Sequence, residues 1–313
     1  MAEMTINDIE IKPGDDLLIR LNISKLPSGT QIDIPIHVFR AKEPGPVLLL
    51  MAGMHGDEVN GIESIRRMIR RRMLQPLRGS VLAVPILNIY GFLNFSREVP
   101  DGKDVNRSFP GSPTGSLASR VAARFTQEVL PLIDYGLDFH TGGASRSNFP
   151  QIRCELDKEQ SAAMAEAFGA PFILNSKLRP GSLREEASKL GKPILVYEAG
   201  ESLRFDESSI NTAIEGAMRV MHHLGMTDSS VPISHPPIIC QKTTWIRARR
   251  AGLFRSFVKN GQAISRGQQV GTVADPFGYA SHPITSPVSG YVIGLNHMPV
   301  VNQGDAILNI GMI

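Results

Sequence analysis

The chain has 313 residues, 42% hydrophobic and 20% charged, with a formal net charge of +3 at neutral pH. That length and composition support a soluble globular protein of two domains, or one large domain with an appendage. The small charge, with no dense Lys/Arg cluster among aromatics, argues against a nucleic-acid partner, and no apolar run is long enough to span a bilayer.

The stretch from Met1 to Asp8 is acidic and lacks an apolar core region, so no secretory signal is expected. Cys154 and Cys240 stand far apart in the chain and read as reduced thiols rather than a disulfide framework. The expected compartment is the cytoplasm.

Residues 1 to about 45 read as a β lead-in, because Gln31 to Phe39 alternates polar and apolar side chains. His37 falls inside that alternation and reads as structural. From Pro46 to about Gly225 the pattern repeats strand then helix. The apolar runs predict strands at Val47–Ala52, Val81–Leu87, Leu137–His140, Gln151–Cys154, Phe172–Leu174 and Pro193–Glu198. The helical spacing of apolar residues predicts helices at Val59–Arg72, Ser116–Leu130, Lys158–Phe168, Leu183–Leu190 and Glu207–Leu224. Cations at Arg70-Arg71-Arg72 and His222-His223 suit helix C-termini. The alternation predicts a doubly wound α/β layer built on a mostly parallel sheet. Asn88 to Thr114 breaks it, being rich in Asn, Pro, Gly, Asp and Ser, and a loop that long inside a compact domain points to function.

A linker is expected near Met226–Pro237, dividing an α/β domain (1–228) from a C-terminal β domain (238–313). His235 in that linker reads as incidental. Glycines then punctuate short Val/Ile-rich runs, the pattern of a small all-β barrel. Val258-Lys259-Asn260-Gly261-Gln262 and Val301-Asn302-Gln303-Gly304-Asp305 echo each other, which suggests two related halves.

Three places carry candidate chemistry. Gly53-Met54-His55-Gly56-Asp57-Glu58 lies where a predicted strand hands over to a helix, the sheet edge at which open α/β folds bind ligands. His55 and Glu58 can converge on one cation, and zinc accepts both donors, although a His-x-x-Glu match is weak by itself. Tyr135-Gly136-Leu137-Asp138-Phe139-His140 ends at the same edge and offers His140 as a third ligand, leaving a fourth position for water. Asp138, two residues earlier, points the same way as His140 and is placed to orient a ligand. In the long loop, Asn106 and Arg107 present an amide beside a guanidinium fork, a match to a carboxylate, and Arg97 is a further cation. Finally, Ile194-Leu195-Val196-Tyr197 runs straight into Glu198, a carboxylate in low-dielectric surroundings suited to a working base.

Taken in order, Gly53 to Glu58, Asp104-Val105-Asn106-Arg107-Ser108-Phe109-Pro110-Gly111, Asp138-Phe139-His140 and Tyr197-Glu198-Ala199-Gly200 resemble the succinylglutamate desuccinylase/aspartoacylase family, within the zinc carboxypeptidase-like fold. The resemblance covers the whole chain. It implies a zinc-dependent amidohydrolase, with one zinc ion per subunit, that removes an acyl group from an N-acyl amino acid or related amine. It also implies His55, Glu58 and His140 as zinc ligands, and Glu198 as the general base and acid acting on a metal-activated water. Asn106 and Arg107 would bind a substrate carboxylate. Arg97, nine residues after Asn88, takes the place expected of a carbonyl-polarising arginine.

The C-terminal region resembles a biotinyl/lipoyl-type barrel, but Asp275 to Pro283, where a carrier lysine would stand, has none. Covalent cofactor carriage is therefore not expected; a cap, an oligomer contact or a lid over the site is, and His282 and His297 read as loop residues of that barrel. Two other functions remain open on the sequence: a zinc carboxypeptidase acting on a small peptide, and a non-catalytic binding protein on the same scaffold. The expected partner is a small molecule, and a homo-oligomer is compatible with this reading.

Overall fold

The computed structural model describes residues 3–26 and 28–313; Met1 and Ala2, at the start of the acidic N-terminal stretch, lie outside the described residues. In chain order the N-terminal half comprises strands β1 (Thr5–Ile6), β2 (Ile9–Glu10), β3 (Asp16–Lys25), β4 (Gln31–Arg40) and β5 (Glu43–Ala52), then helix α1 (Val59–Arg70) and β6 (Arg78–Val84). The long loop holds a short helix α2 (Ile89–Leu93) and a single 3-10 turn at Val105–Arg107, and is followed by α3 (Leu117–Glu128). The pattern continues with β7 (Tyr135–Gly142), β8 (Arg146–Cys154), α4 (Glu159–Phe168), β9 (Phe172–Asn175), α5 (Leu183–Lys189), β10 (Ile194–Glu201) and α6 (Glu207–His223). The remainder is all β: β11 (Ile238–Cys240), β12 (Lys242–Arg247), β13 (Gly252–Ser256), β14 (Ala263–Ile264), β15 (Gln269–Ala274), β16 (Ser281–Thr285), β17 (Gly290–Asn296), β18 (Val300–Val301) and β19 (Ala306–Met312).

The centre of the main sheet is the parallel quartet β6-β5-β7-β10. Its strands are apolar because both faces are covered. On β5, Leu49 and Met51 enter the core shared with α3 and α5, whereas Leu48, Leu50 and Ala52 enter the core under α1, α4 and α6. Beyond the quartet the sheet is mixed, which corrects the expectation of a mostly parallel one: on one side β4 pairs antiparallel with β6 and β3 antiparallel with β4, and on the other β8 pairs antiparallel with β10. For β8 the reason is loop length. Only Gly143, Ala144 and Ser145 separate β7 from β8, far too few for the crossover that parallel strands need. Ala144 and Ser145 both take positive φ, 54° and 58°, to turn the chain.

The C-terminal strands are hydrogen-bonded into the same sheet. β17 pairs with β8 and β19, β19 with β12, and β11 lies parallel to β9. They also enclose a core of their own with the separate four-stranded sheet β16-β15-β13-β18. Among the described residues no helix is long and apolar enough to cross a membrane. Both cysteines are buried and free, and burial pushes the Cys154 thiol up to about 12 and that of Cys240 up to about 11.

Helices α1 and α6 are tied by a charge network. Glu63 accepts from Arg66 at 2.6 and 2.8 Å and from Arg67 at 2.7 Å, and Arg67 in turn grips Glu207 through two bonds of 2.7 Å. The Arg66 guanidinium, together with Arg67, holds the Glu63 carboxyl down at about 2. A carboxyl depressed by folding stabilises the native state above its unfolded value of about 4.3 and loses that contribution as pH falls through the folded one. Glu63→Gln is therefore expected to lower the melting temperature near neutral pH, with the gap to wild type closing between about pH 4 and about pH 2. Parallel thermal melts across that range check it.

Candidate active site

The parallel quartet gathers its site residues at the carboxyl edge, from the loops after β5 and β6 and from within β7 and β10. β5 ends at Ala52, and Gly53, at φ +61°, turns the chain toward His55 before Glu58 opens α1. Gly56 lets that turn seat against the α2 segment: its N–H donates to the Ser96 carbonyl at 2.9 Å, and a Cβ there would lie 1.8 Å from the Gly91 carbonyl carbon. No side chain fits without moving one backbone off another. Gly56→Ala is expected to cost at least the roughly 1–3 kcal/mol of ordinary overpacking, read as a lowered melting temperature with the fold retained.

Glu58 sits between two imidazoles. Its Oε1 is 2.7 Å from His55 Nδ1 and its Oε2 is 2.8 Å from His140 Nδ1, with the Thr141 N–H donating to Oε2 at 3.1 Å. All three side chains are buried, and one donor atom from each lies within 4.8 Å of the others. The outer nitrogens face carboxylates: His140 Nε2 is 2.9 Å from Asp138, and His55 Nε2 is 3.3 Å from Asp104. Imidazoles that ligate a metal are braced in this way, so the donor set fits a divalent cation of the zinc type. The electrostatics agree. Burial opposes charge on Glu58, yet His55 and His140 outweigh it and hold the carboxyl well below the usual carboxylate range. Burial also opposes charge on both imidazoles, but Asp138 and Glu58 raise His140 well above its ordinary value, and Glu58 and Asp104 raise His55. Such a carboxylate cluster needs positive charge among its members, and a cation meets that need.

Arg97 stands at the lip of this cluster. Its Nη2 bonds Asp104 at 2.8 Å, and its Nη1 lies 3.2 Å from His55 Nδ1 and 3.6 Å from Glu58. Asn106 turns its amide oxygen to the Leu183 N–H at 3.0 Å, joining the long loop to the start of α5, and the Arg107 guanidinium bonds the Asn106 carbonyl. Glu198 follows Tyr197 on β10. The Tyr197 side chain is buried, donating to the Ser209 carbonyl at 2.9 Å, whereas Glu198 faces the opposite side, beside His140 on the neighbouring strand. His55, Glu58, His140, Arg97, Asn106, Arg107 and Glu198 all line one cavity of ≈ 580 Å³.

Residues 44–224 match the succinylglutamate desuccinylase/aspartoacylase catalytic domain. The chain belongs to the succinylglutamate desuccinylase/aspartoacylase family. It is 29% identical over 288 residues to the N-alpha-acetyl-L-2,4-diaminobutyric acid deacetylase of Halomonas elongata, covering 88% of this chain and 84% of that protein. A succinylglutamate desuccinylase/aspartoacylase from Rhodobacter sphaeroides superimposes with a TM-score of 0.86 at 25% identity, covering 96% of each chain. The ectoine utilization protein EutE (DoeB) from Ruegeria pomeroyi, in its product-bound structure, shares the fold at a TM-score of 0.86 and 22% identity, covering 100% of this chain and 99% of that one. The family is one of desuccinylase- and deacetylase-type enzymes acting on amides.

Within this family fold the cavity also has walls that the motifs did not reveal. Asp104 was visible only as a motif letter; folded, it bonds Arg97 and lies 3.3 Å from His55 Nε2. Arg153, Lys177, Arg179 and Arg184 add cations, and Trp245 arrives from β12 with Arg146 stacked 5.7 Å from its ring centroid. These residues are scattered over about 100 positions and carry no local pattern, so only their convergence in space identifies them. Of the other histidines, His37 lies in β4 and His222 at the end of α6, while His297 leaves the end of β17 to meet Ser147 at 2.6 Å.

Proposed function

We propose that this chain is a zinc-dependent amidohydrolase that hydrolyses the acyl amide of a small N-acyl amino acid or related N-acylated amine. The observation that carries the reading is the buried His55-Glu58-His140 donor cluster opening on the same cavity as Glu198. His55, Glu58 and His140 would hold the ion. With a zinc ion bound they would supply a Lewis acid able to polarise a carbonyl and to lower the pKa of water from about 15.7 towards 7. Glu198 takes the proton released as water adds to the acyl carbon and delivers it to the nitrogen as the C–N bond breaks, and with the water's second proton the products are a carboxylate and an ammonium group. Arg97, beside the ligand cluster, faces the oxygen on which negative charge develops. Asn106 and Arg107 orient the substrate through its carboxylate, and the further cations of the wall suit an anionic ligand. The cavity volume suits a small molecule rather than an extended chain. With its two thiols buried and unpaired, the cytoplasm is the compartment this reading expects.

The test is a panel of N-acetyl, N-succinyl and N-formyl amino acids, N-alpha-acetyl-L-2,4-diaminobutyric acid included, offered to zinc-loaded protein beside short peptides. Release of free amine from an N-acyl amino acid is the expected result. Cleavage confined to the peptides would replace this reading with a carboxypeptidase.

A further inference from the structure

Strand β8 reaches Glu198 with two side chains. Asn148 Nδ2 donates to Glu198 Oε2 at 2.7 Å, and Arg153 Nη1 lies 3.6 Å from Oε1. Regular alternation would not bring Asn148 there. Ile152 and Cys154 point into the core under α1, α4 and α6, and in an unbroken strand Asn148 shares their side. The pairing with β10 is broken, however. Glu198 lies opposite Gln151 while Gly200 lies opposite Asn148, so β8 uses three residues where β10 uses two. The extra residue falls at Phe149-Pro150, and a bulge beside a site re-aims a side chain. Pro150 brings no N–H that the interrupted ladder would leave unpaired.

The outcome is a carboxylate approached at both oxygens, by a neutral donor on one and a cation on the other. Asn148 also lines the cavity, so its bond fixes the plane in which the remaining lone pairs of Glu198 face a bound substrate. A proton is exchanged over a short distance and along a lone-pair direction. A misplacement of about 1 Å is enough to cost roughly 100-fold in rate.

We infer that Asn148 is a positioning residue for the reaction, holding Glu198 in the orientation from which it exchanges its proton, with Arg153 as the second brace. The inference rests on Glu198 being the general base and acid. Asn148→Ala is expected to lower kcat by about 10- to 100-fold, with KM, zinc content and calorimetric affinity for the cleaved substrate unchanged. Asn148→Asp preserves shape but sets a carboxylate against Glu198, and is expected to lower kcat further than alanine does. A residue that merely fills space gives the opposite order. In a Glu198→Gln background neither substitution should change the residual rate, because the group being positioned is gone. If Glu198→Gln is inactive while Asn148→Ala keeps kcat within about twofold, or changes KM alone, the positioning role is wrong and the general base stands. Near-normal activity of Glu198→Gln removes the base and the positioning role together.

Discussion

Glu198→Gln is expected to lower kcat by about 100- to 10,000-fold, while the protein keeps its metal and its melting temperature. The substitution keeps the shape of the side chain and an oxygen for the Asn148 amide, so little structural change follows. What it removes is the ability to accept a proton. Water is a weak nucleophile, and an amine is expelled from a tetrahedral carbon only once its nitrogen carries a proton. One carboxylate serves both needs in turn, which places its loss in kcat rather than in KM. Steady-state kinetics with metal analysis on the same preparations measure the effect. A Glu198→Gln enzyme that turns over near the wild-type rate would exclude Glu198 from proton transfer.

His140→Ala is expected to abolish both tight zinc binding and activity. The imidazole is buried between Glu58 and Asp138, at 2.8 and 2.9 Å, so its removal takes away one of three donors and leaves two buried carboxylates without their shared partner. Loss of an outer brace typically weakens metal affinity by about 10- to 100-fold, and loss of a ligand should exceed that. Asp138→Asn supplies the milder comparison. Thermal melting gives a readout independent of turnover, since a ligand at 100 times its Kd stabilises the native state by about 2.7 kcal/mol. Zinc should raise the melting temperature of wild type but not of His140→Ala. An equal rise in both would show that the ion is held elsewhere.

Much of the molecule is legible along the chain. The apolar run before Gly53 has to be a buried strand, and the spacing of Val59, Ile62, Ile65 and Ile69 has to be an amphipathic helix. The predicted strands and helices between Val47 and Leu224 fall within a few residues of where periodicity places them, whereas the short helix α2 (Ile89–Leu93) lies in a stretch read as loop. The motif residues His55 and Glu58 stand in the loop after β5, and His140 and Glu198 in the carboxyl-terminal halves of β7 and β10, the edge where a parallel sheet binds ligands. The mixed character of the sheet was harder to read, because it turns on the direction of β8 after a three-residue connection rather than on composition.

What the sequence determined by itself is the set of elements and the identity of the groups able to do chemistry, because periodicity and local spacing are properties of neighbours in the chain. Only the tertiary structure decided that Asp104 stands against His55, how Arg146 and Trp245 come to share a wall, and why Asn148 faces Glu198. Those contacts join residues up to about 100 positions apart, brought together by loop packing and by strand register. A one-residue slip at Phe149-Pro150 is invisible in a hydropathy pattern, yet it carries a side chain from one face of the sheet to the other.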